Sequence, residues 1–187
     1  PSFLDPNIRV VLQQENGVVG YEGFALKGQE DDTLTDAAGN FIRLGVGASF
    51  CDSSLSFAMI RGGHVDICVL GALQVDEEGN LANWTVPGKW SPGVGGGMEL
   101  AQKVRRVIVT TQHTDKKGRA KLLKQCDFPL TAAGVVDTII TDLGFFRVRD
   151  KKIILEEIPE GVDLESVVDK TDADLEILDP LRPWSSL

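Results

Sequence analysis

A nearly continuous apolar run, Val65-Asp66-Ile67-Cys68-Val69-Leu70, constrains this chain more than any other segment. Such a run suits a parallel strand covered on both faces. The segment before it reads as a helix. Asp52 or Ser53 can cap a helix that runs to Arg61 and ends at Gly62-Gly63. Its Phe57, Ala58, Met59 and Ile60 are too apolar for an exposed helix, so the spacing packs it on a sheet.

The rest of the chain continues the alternation. Residues 8 to 13 and 41 to 44 read as strands, the latter leading to Gly45 and Gly47. Residues 22 to 40 form a polar, acidic excursion between them. Residues 76 to 80 make a turn, and residues 85 to 97, with Pro87, Gly88, Pro92 and four glycines near their end, make an irregular loop. A short helix starts at residues 98 to 102, and residues 104 to 111 are a strand. Lys116, Lys117, Arg119, Lys121 and Lys124 form a basic segment on or near a helix, usually a solvated face. Residues 139 to 141 and 145 to 158 read as strands with a turn at Asp150-Lys151. Asp163 begins a helix whose Leu164, Val167 and Val168 share a face, and residues 175 to 177 form a last strand. Alternating strands and helices predict an α/β fold: a mixed, largely parallel sheet with helices packed on it.

The 187 residues suit a single domain, 1–187. With 42% hydrophobic residues, a core is available. The net charge of −9 argues against nucleic acid and anionic membrane surfaces as partners. An anionic substrate stays open, because a local pocket can oppose the global sign. No apolar run of ~18 residues spans a bilayer, and no signal peptide is visible. Cys51, Cys68 and Cys126 are odd in number and lack a C-x-x-C spacing, which predicts reduced thiols in a cytoplasm-like compartment. His64 and His113 read as structural histidines with satisfied nitrogens. Two lone histidines cannot build a His-rich centre, so no metal is expected.

The richest chemical signal is Val10-Val11-Leu12-Gln13-Gln14-Glu15-Asn16-Gly17-Val18-Val19-Gly20. An apolar run ends in a carboxylate, and a tight Asn-Gly turn follows. One reading is a plain β-hairpin with a type I′ turn and an ordinary exposed Glu15. The other holds Glu15 at the mouth of a sheet as a reactive group.

Several blocks bear on that choice. QENGVVG resembles the SENG-type active-site segment of the family I coenzyme A transferases, in the 3-oxoacid group. Ser56-Phe57-Ala58-Met59-Ile60-Arg61-Gly62-Gly63-His64 is similar to that family's SFAMIRGGH block. Leu81-Ala82-Asn83-Trp84 with Pro87-Gly88-Lys89 resembles its LANW and PGK blocks. Gly93-Val94-Gly95-Gly96-Gly97-Met98-Glu99-Leu100 resembles its G-x-G-G-A-M-D-L block. Cys126 with Pro129-Leu130-Thr131 resembles its C..PLT segment. The blocks follow the family's order across residues 8 to 178.

The resemblance implies a CoA-transferase-like open α/β domain of the β type, carrying the catalytic glutamate. It implies CoA transfer from succinyl-CoA or acetyl-CoA to a 3-oxoacid such as acetoacetate, with an acetate- or butyrate-type transferase or a non-catalytic binding domain as alternatives. Glu15 is then the nucleophile and the Gly96 amide an oxyanion donor. Gly95, Asn16 and Lys89 are candidates for holding coenzyme A. The CoA thioester is a substrate, and no tightly bound cofactor is implied. The partners are an α-type subunit, acyl-CoA and a carboxylic acid. The compartment is the cytoplasm, or the mitochondrial matrix in a eukaryote. Family members carry a further N-terminal stretch with a Gly-rich turn that this sequence lacks, so a processed or truncated start is expected. Two departures fall on the substrate side. Gly20-Tyr21-Glu22-Gly23-Phe24-Ala25 stands where G-x-G-P-Y-P is common, and Gly97 stands where alanine is usual.

The chemistry fits these residue types. A free glutamate is ionised at neutral pH and needs no general base. The leaving thiolate corresponds to a thiol of pKa about 8.5, so strong acid assistance is unnecessary.

Overall fold

The computed structural model describes Asp5, residues 7–91 and residues 93–184. Pro92 of the irregular loop lies outside the described residues. The chain forms two compact units, Pro1–Val65 and Asp66–Leu187.

In the first unit, β1 (Val18–Phe24) and β2 (Ile42–Phe50) pair antiparallel, from Val18 opposite Phe50 to Phe24 opposite Ile42. The acidic excursion lies between them and is pinched by a bridge from Thr35 to Phe41. Helix α1 (Ser53–Arg61) follows, with Asp52 as its N-cap: the Asp52 carboxylate accepts from the Leu55 amide at 2.8 Å. Such a cap is worth roughly 1 kcal/mol. Ser56 and Ile60, one helical turn apart, are the buried pair of α1.

Two expectations change here. The run 8–13 is not a strand; among the described residues its pairing is a bridge from Gln13 to Val19 and single bonds at Leu12 and Gln14. Val10 and Val11 are exposed, so no packed face draws that apolar run into a ladder. The turn is also not type I′, because positive φ falls on Gly17 (107°) and not on Asn16.

The second unit holds β3 (Ile67–Gly71), β4 (Gln74–Asp76), β5 (Leu81–Ala82), α2 (Gly97–Lys103), β6 (Arg106–Thr110), β7 (Leu122–Leu123), β8 (Val136–Ile140), β9 (Phe145–Arg149), β10 (Lys152–Pro159), α3 (Leu164–Asp169) and β11 (Leu175–Trp184). The main sheet runs β11-β10-β9-β8-β6-β3. Pairs β3/β6, β6/β8 and β10/β11 are parallel, and β8/β9 and β9/β10 are antiparallel. A second sheet runs β5-β4-β7. The expected mixed, mostly parallel α/β sheet is present.

Local chemistry sets these elements. The β9–β10 turn places Asp150 and Lys151 at φ 51° and 58°, the backbone a two-residue hairpin needs. Val75, Leu81, Val109, Ile139, Phe146 and Leu155 are fully buried in the core. Ala101 of α2 and Val167 of α3 join them, so each short helix contributes an apolar contact.

Three further readings are corrected. β3 is an edge strand with Ile67 and Val69 exposed, so it is not covered on both faces. Val168 is 44% exposed while Val167 is buried, because a six-residue helix presents only a narrow inward stripe. The basic segment is not helical. It is a turn and the short β7 strand, because the Asp115 carboxylate takes the amides of Lys117 (2.7 Å) and Arg119 (3.0 Å) and closes the chain on itself.

Among the described residues, no helix is long and apolar enough to cross a membrane.

Candidate active site

Glu15 sits in the four-residue turn Gln14-Glu15-Asn16-Gly17. The Gly17 amide donates to the Gln14 carbonyl at 3.0 Å, and the Gln14 amide donates to the Val18 carbonyl at 2.8 Å. Glycine is required at position 17 for two reasons. Its φ of 107° is rarely adopted by other residues. A Cβ there would also lie 1.9 Å from the Cys51 carbonyl oxygen. In turn, the Cys51 amide donates to the Gly17 carbonyl at 2.9 Å. The turn is therefore pressed against the end of β2.

The same turn is held from beneath. The Gln14 carbonyl also accepts from Ser56 Oγ (3.1 Å) and from Gln13 Nε2 (3.0 Å), and Gln13 Nε2 donates to Ser56 Oγ as well. Ser56 is fully buried. Its hydroxyl fixes the carbonyl immediately before Glu15, so α1 acts as a base plate for the turn. Ser56 falls inside a recognisable sequence block, yet sequence reasoning assigns it no role. A signal for it exists, because Ser56 lies one helical turn before buried Ile60 and is a polar residue on the inward stripe.

Glu15 is half-buried. Among the described residues, no hydrogen bond or ion pair engages its carboxylate, whereas the backbone around it is fixed on several sides. Asn16 points elsewhere: its side-chain Nδ2 donates to the Thr35 carbonyl at 2.9 Å and ties the excursion to the turn.

The glycine loop and Lys89 belong to the second unit. Gly95 has φ 58°. Gly96 is the N-cap of α2, and its carbonyl accepts from the Leu100 amide at 3.1 Å. Among the described residues, no side-chain hydrogen bond caps this helix start. Beside it, the Thr131 hydroxyl donates to Asn83 Oδ1 (2.6 Å) and accepts the Asn83 amide (3.1 Å). A Cβ at Gly97 would meet Asn83 and Thr131 at an ordinary 3.9 Å, so alanine would also fit there. Lys89 is exposed and lines a cavity of about 620 Å³.

Cys68 and Cys126 are unsuited to nucleophilic work. Burial, reinforced by the Asp137 charge, pushes the Cys68 thiol up to about 11. Burial together with Asp76 raises the Cys126 thiol as well. Both remain protonated at neutral pH, and the thiolate is the reactive form. Among the described residues, no group of three or more His, Cys, Asp or Glu could hold a metal ion.

His113 is 1% exposed, with Nδ1 3.0 Å from Thr141 Oγ1 and Nε2 2.9 Å from Thr171 Oγ1. Burial holds its pKa down at about 4, with Lys170 also lowering it and Asp142 opposing. The folded state therefore keeps His113 neutral, while an unfolded histidine titrates near ~6.5. Its contribution is complete above pH ~6.5 and fades as pH falls toward 4, by roughly 3 kcal/mol in all. Urea denaturation at pH 7 and pH 4.5 should show a smaller pH loss in His113→Gln than in the wild type. Equal pH slopes in the two proteins would exclude this role.

The family model described as Coenzyme A transferase matches residues 3–170. The chain is 50% identical over 177 residues to the beta subunit of a probable coenzyme A transferase of Bacillus subtilis (strain 168), covering 95% of this chain and 82% of that protein. It is 44% identical over 170 residues to the B-type subunit of that organism's probable succinyl-CoA:3-ketoacid coenzyme A transferase, covering 91% and 79%. It is 47% identical over 176 residues to the beta subunit of the acetate CoA-transferase of Escherichia coli (strain K12), covering 94% and 80%. Among solved structures, the acyl-CoA transferase YdiF apoenzyme of Escherichia coli O157:H7 matches with TM-score 0.72 at 22% identity. That match covers 93% of this chain and 35% of the other, a likeness of fold.

Proposed function

This chain belongs to the coenzyme A transferase family, and on that premise we propose that it is the glutamate-bearing, β-type half of a 3-oxoacid CoA-transferase. Residues 1–187 serve as one β-type domain. CoA moves from succinyl-CoA or acetyl-CoA to a 3-oxoacid such as acetoacetate. One observation carries the reading: Glu15 has an unengaged carboxylate on a turn clamped by Ser56, Gln13 and Cys51. A nucleophile needs a free lone pair and a fixed position, and this arrangement supplies both.

The reaction runs in four exchanges. A Glu15 carboxylate oxygen attacks the acyl-CoA carbonyl, the C–S bond breaks, and CoA leaves as its thiolate. The thiolate attacks the glutamyl carbonyl of the resulting anhydride, the first carboxylate leaves, and a glutamyl-CoA thioester forms. The acceptor carboxylate attacks that thioester and expels the thiolate. The thiolate then attacks the new acyl carbonyl, giving the product acyl-CoA and free Glu15. Each attack creates an oxyanion. The amide of Gly96 is the donor we assign to it, worth roughly 3–4 kcal/mol in the transition state. Gly95 lets CoA approach that amide closely. Asn16 acts by holding the turn to Thr35 and lining the CoA approach, and Lys89 contacts CoA phosphate.

A glutamyl thioester open to water would hydrolyse, so the site needs a cover. The relatives are named as beta subunits, and we assign the cover to an α-type partner. The acetate-type relative at 47% identity supports acetate as an alternative acceptor.

The test is direct. The chain with its α-type partner is incubated with succinyl-CoA, digested and examined by mass spectrometry. CoA is expected on the peptide containing Glu15. An adduct on Cys51, Cys68 or Cys126 with none on Glu15 would sink the mechanism.

A further inference from the structure

The cavity beside Lys89 has a charge that the rest of the chain does not predict. Its wall carries Lys89, Lys116, Lys117, Arg119 and Lys121 against the carboxylates Asp115, Asp127 and Asp172. That is a local surplus of two positive charges in a chain of net charge −9. The cations divide into two groups. Arg119 is spent on Asp115, with Nε at 2.7 Å and Nη2 at 2.6 Å from Oδ2. Lys121 Nζ donates to Thr111 Oγ1 at 2.8 Å. Lys89, Lys116 and Lys117 have no side-chain hydrogen bond or ion pair among the described residues. Three unpaired ammonium groups around one concavity repel each other unless an anion joins them.

The arrangement is built, because the Asp115 carboxylate takes the Lys117 and Arg119 amides while the Gly118 amide donates to the Asp115 carbonyl at 3.0 Å. This fixes the tip that carries Lys116 and Lys117. The same cavity is also lined by the apolar side chains of Leu73, Val86, Leu123 and Phe128. About 620 Å³ lies within the usual range for a small-molecule site, roughly 300–1,000 Å³. Several cations together with apolar side chains and an aromatic ring in one lining match a phosphorylated purine nucleoside, the cations taking phosphate and the apolar groups the base.

We propose that this cleft, within the second unit alone, binds the phosphorylated adenosine end of coenzyme A through Lys89, Lys116 and Lys117. The assignment rests on CoA being the substrate, as proposed above. It adds two residues and an apolar seat to the Lys89 contact.

Calorimetric titration of the full chain with adenosine 3′,5′-bisphosphate tests it. Saturable one-site binding is expected, weakened by rising salt. It should weaken on the order of tenfold or more in the triple variant K89A/K116A/K117A, since charge-assisted bonds are lost. All three side chains are exposed, and circular dichroism should confirm an unchanged fold. Equal binding by wild type and variant overturns the proposal. So does inorganic phosphate competing as well as the bisphosphate, which would make the site a bare anion trap. The same variant with its α-type partner should raise KM for succinyl-CoA. An adduct at Glu15 with an unmoved KM refutes the cleft and leaves the mechanism standing. Bisphosphate binding through these lysines with no adduct at Glu15 does the reverse.

Discussion

Glu15→Ala should abolish CoA transfer, lowering kcat by a factor on the order of 10⁴ or more, as loss of a covalent nucleophile does. Stability should hardly change, within about 0.5 kcal/mol, because the Glu15 carboxylate makes no hydrogen bond or ion pair among the described residues. The contrast between the two readouts carries the assignment. A residue that merely stabilised the turn would lower both together. Steady-state turnover with succinyl-CoA and acetoacetate, in the presence of the α-type partner, gives the first number, and urea denaturation gives the second. Retention of more than a few per cent of wild-type turnover would remove Glu15 from the mechanism. Neither Cys68 nor Cys126 can take its place, since both thiols are held protonated well above neutral pH.

The second large effect concerns the turn itself. Gly17→Ala places a methyl 1.9 Å from the Cys51 carbonyl oxygen, on a residue at φ 107°. Backbone cannot yield as a flexible side chain can, so either the turn or the end of β2 must move. We expect a loss of about 3 kcal/mol or more, combining a clash with positive-φ strain. A fall in transfer should accompany it, because the carbonyl that Ser56 and Gln13 hold shifts with the turn. Gly28→Ala is the control. Gly28 also has positive φ (84°), but an added Cβ meets nothing within 4 Å. It should cost only the backbone term, roughly 1–2 kcal/mol. Denaturation midpoints of the two variants separate the clash from the strain. Equal losses in both would show that Gly17 is required for its φ alone.

Much of this protein was legible along the chain. Asp52 before Ser53 announced α1, Asp163 announced α3, and Asp150-Lys151 marked the hairpin between β9 and β10. These are near-neighbour effects, in which a carboxylate meets an amide three residues on or two residues take left-handed backbone. The apolar run that became β6 was equally plain, because burial favours contiguous β-branched residues; the run that became β3 was read as a strand but not as an exposed edge, and of β8 only Ile139 and Ile140 were read. The motif blocks, read as a resemblance, pointed to the family that the comparison with known proteins identifies.

Long-range partners decided the rest. The run before Glu15 looked like a strand but found no full ladder, since a strand exists only where another accepts its bonds. The basic segment looked helical until Asp115 captured two amides of its own turn. Ser56 was an ordinary residue of α1 until folding set its hydroxyl 3.1 Å from the Gln14 carbonyl. Lys89, far from Lys116 and Lys117 in sequence, lines one cavity with them only in the folded second unit. The sequence by itself determined the Asp52 and Asp163 caps, the Asp150-Lys151 turn and, through its motif blocks, the family. Which groups became satisfied, and which were left free to act, was decided by the tertiary structure, because hydrogen-bond and charge partners are chosen in space and not along the chain.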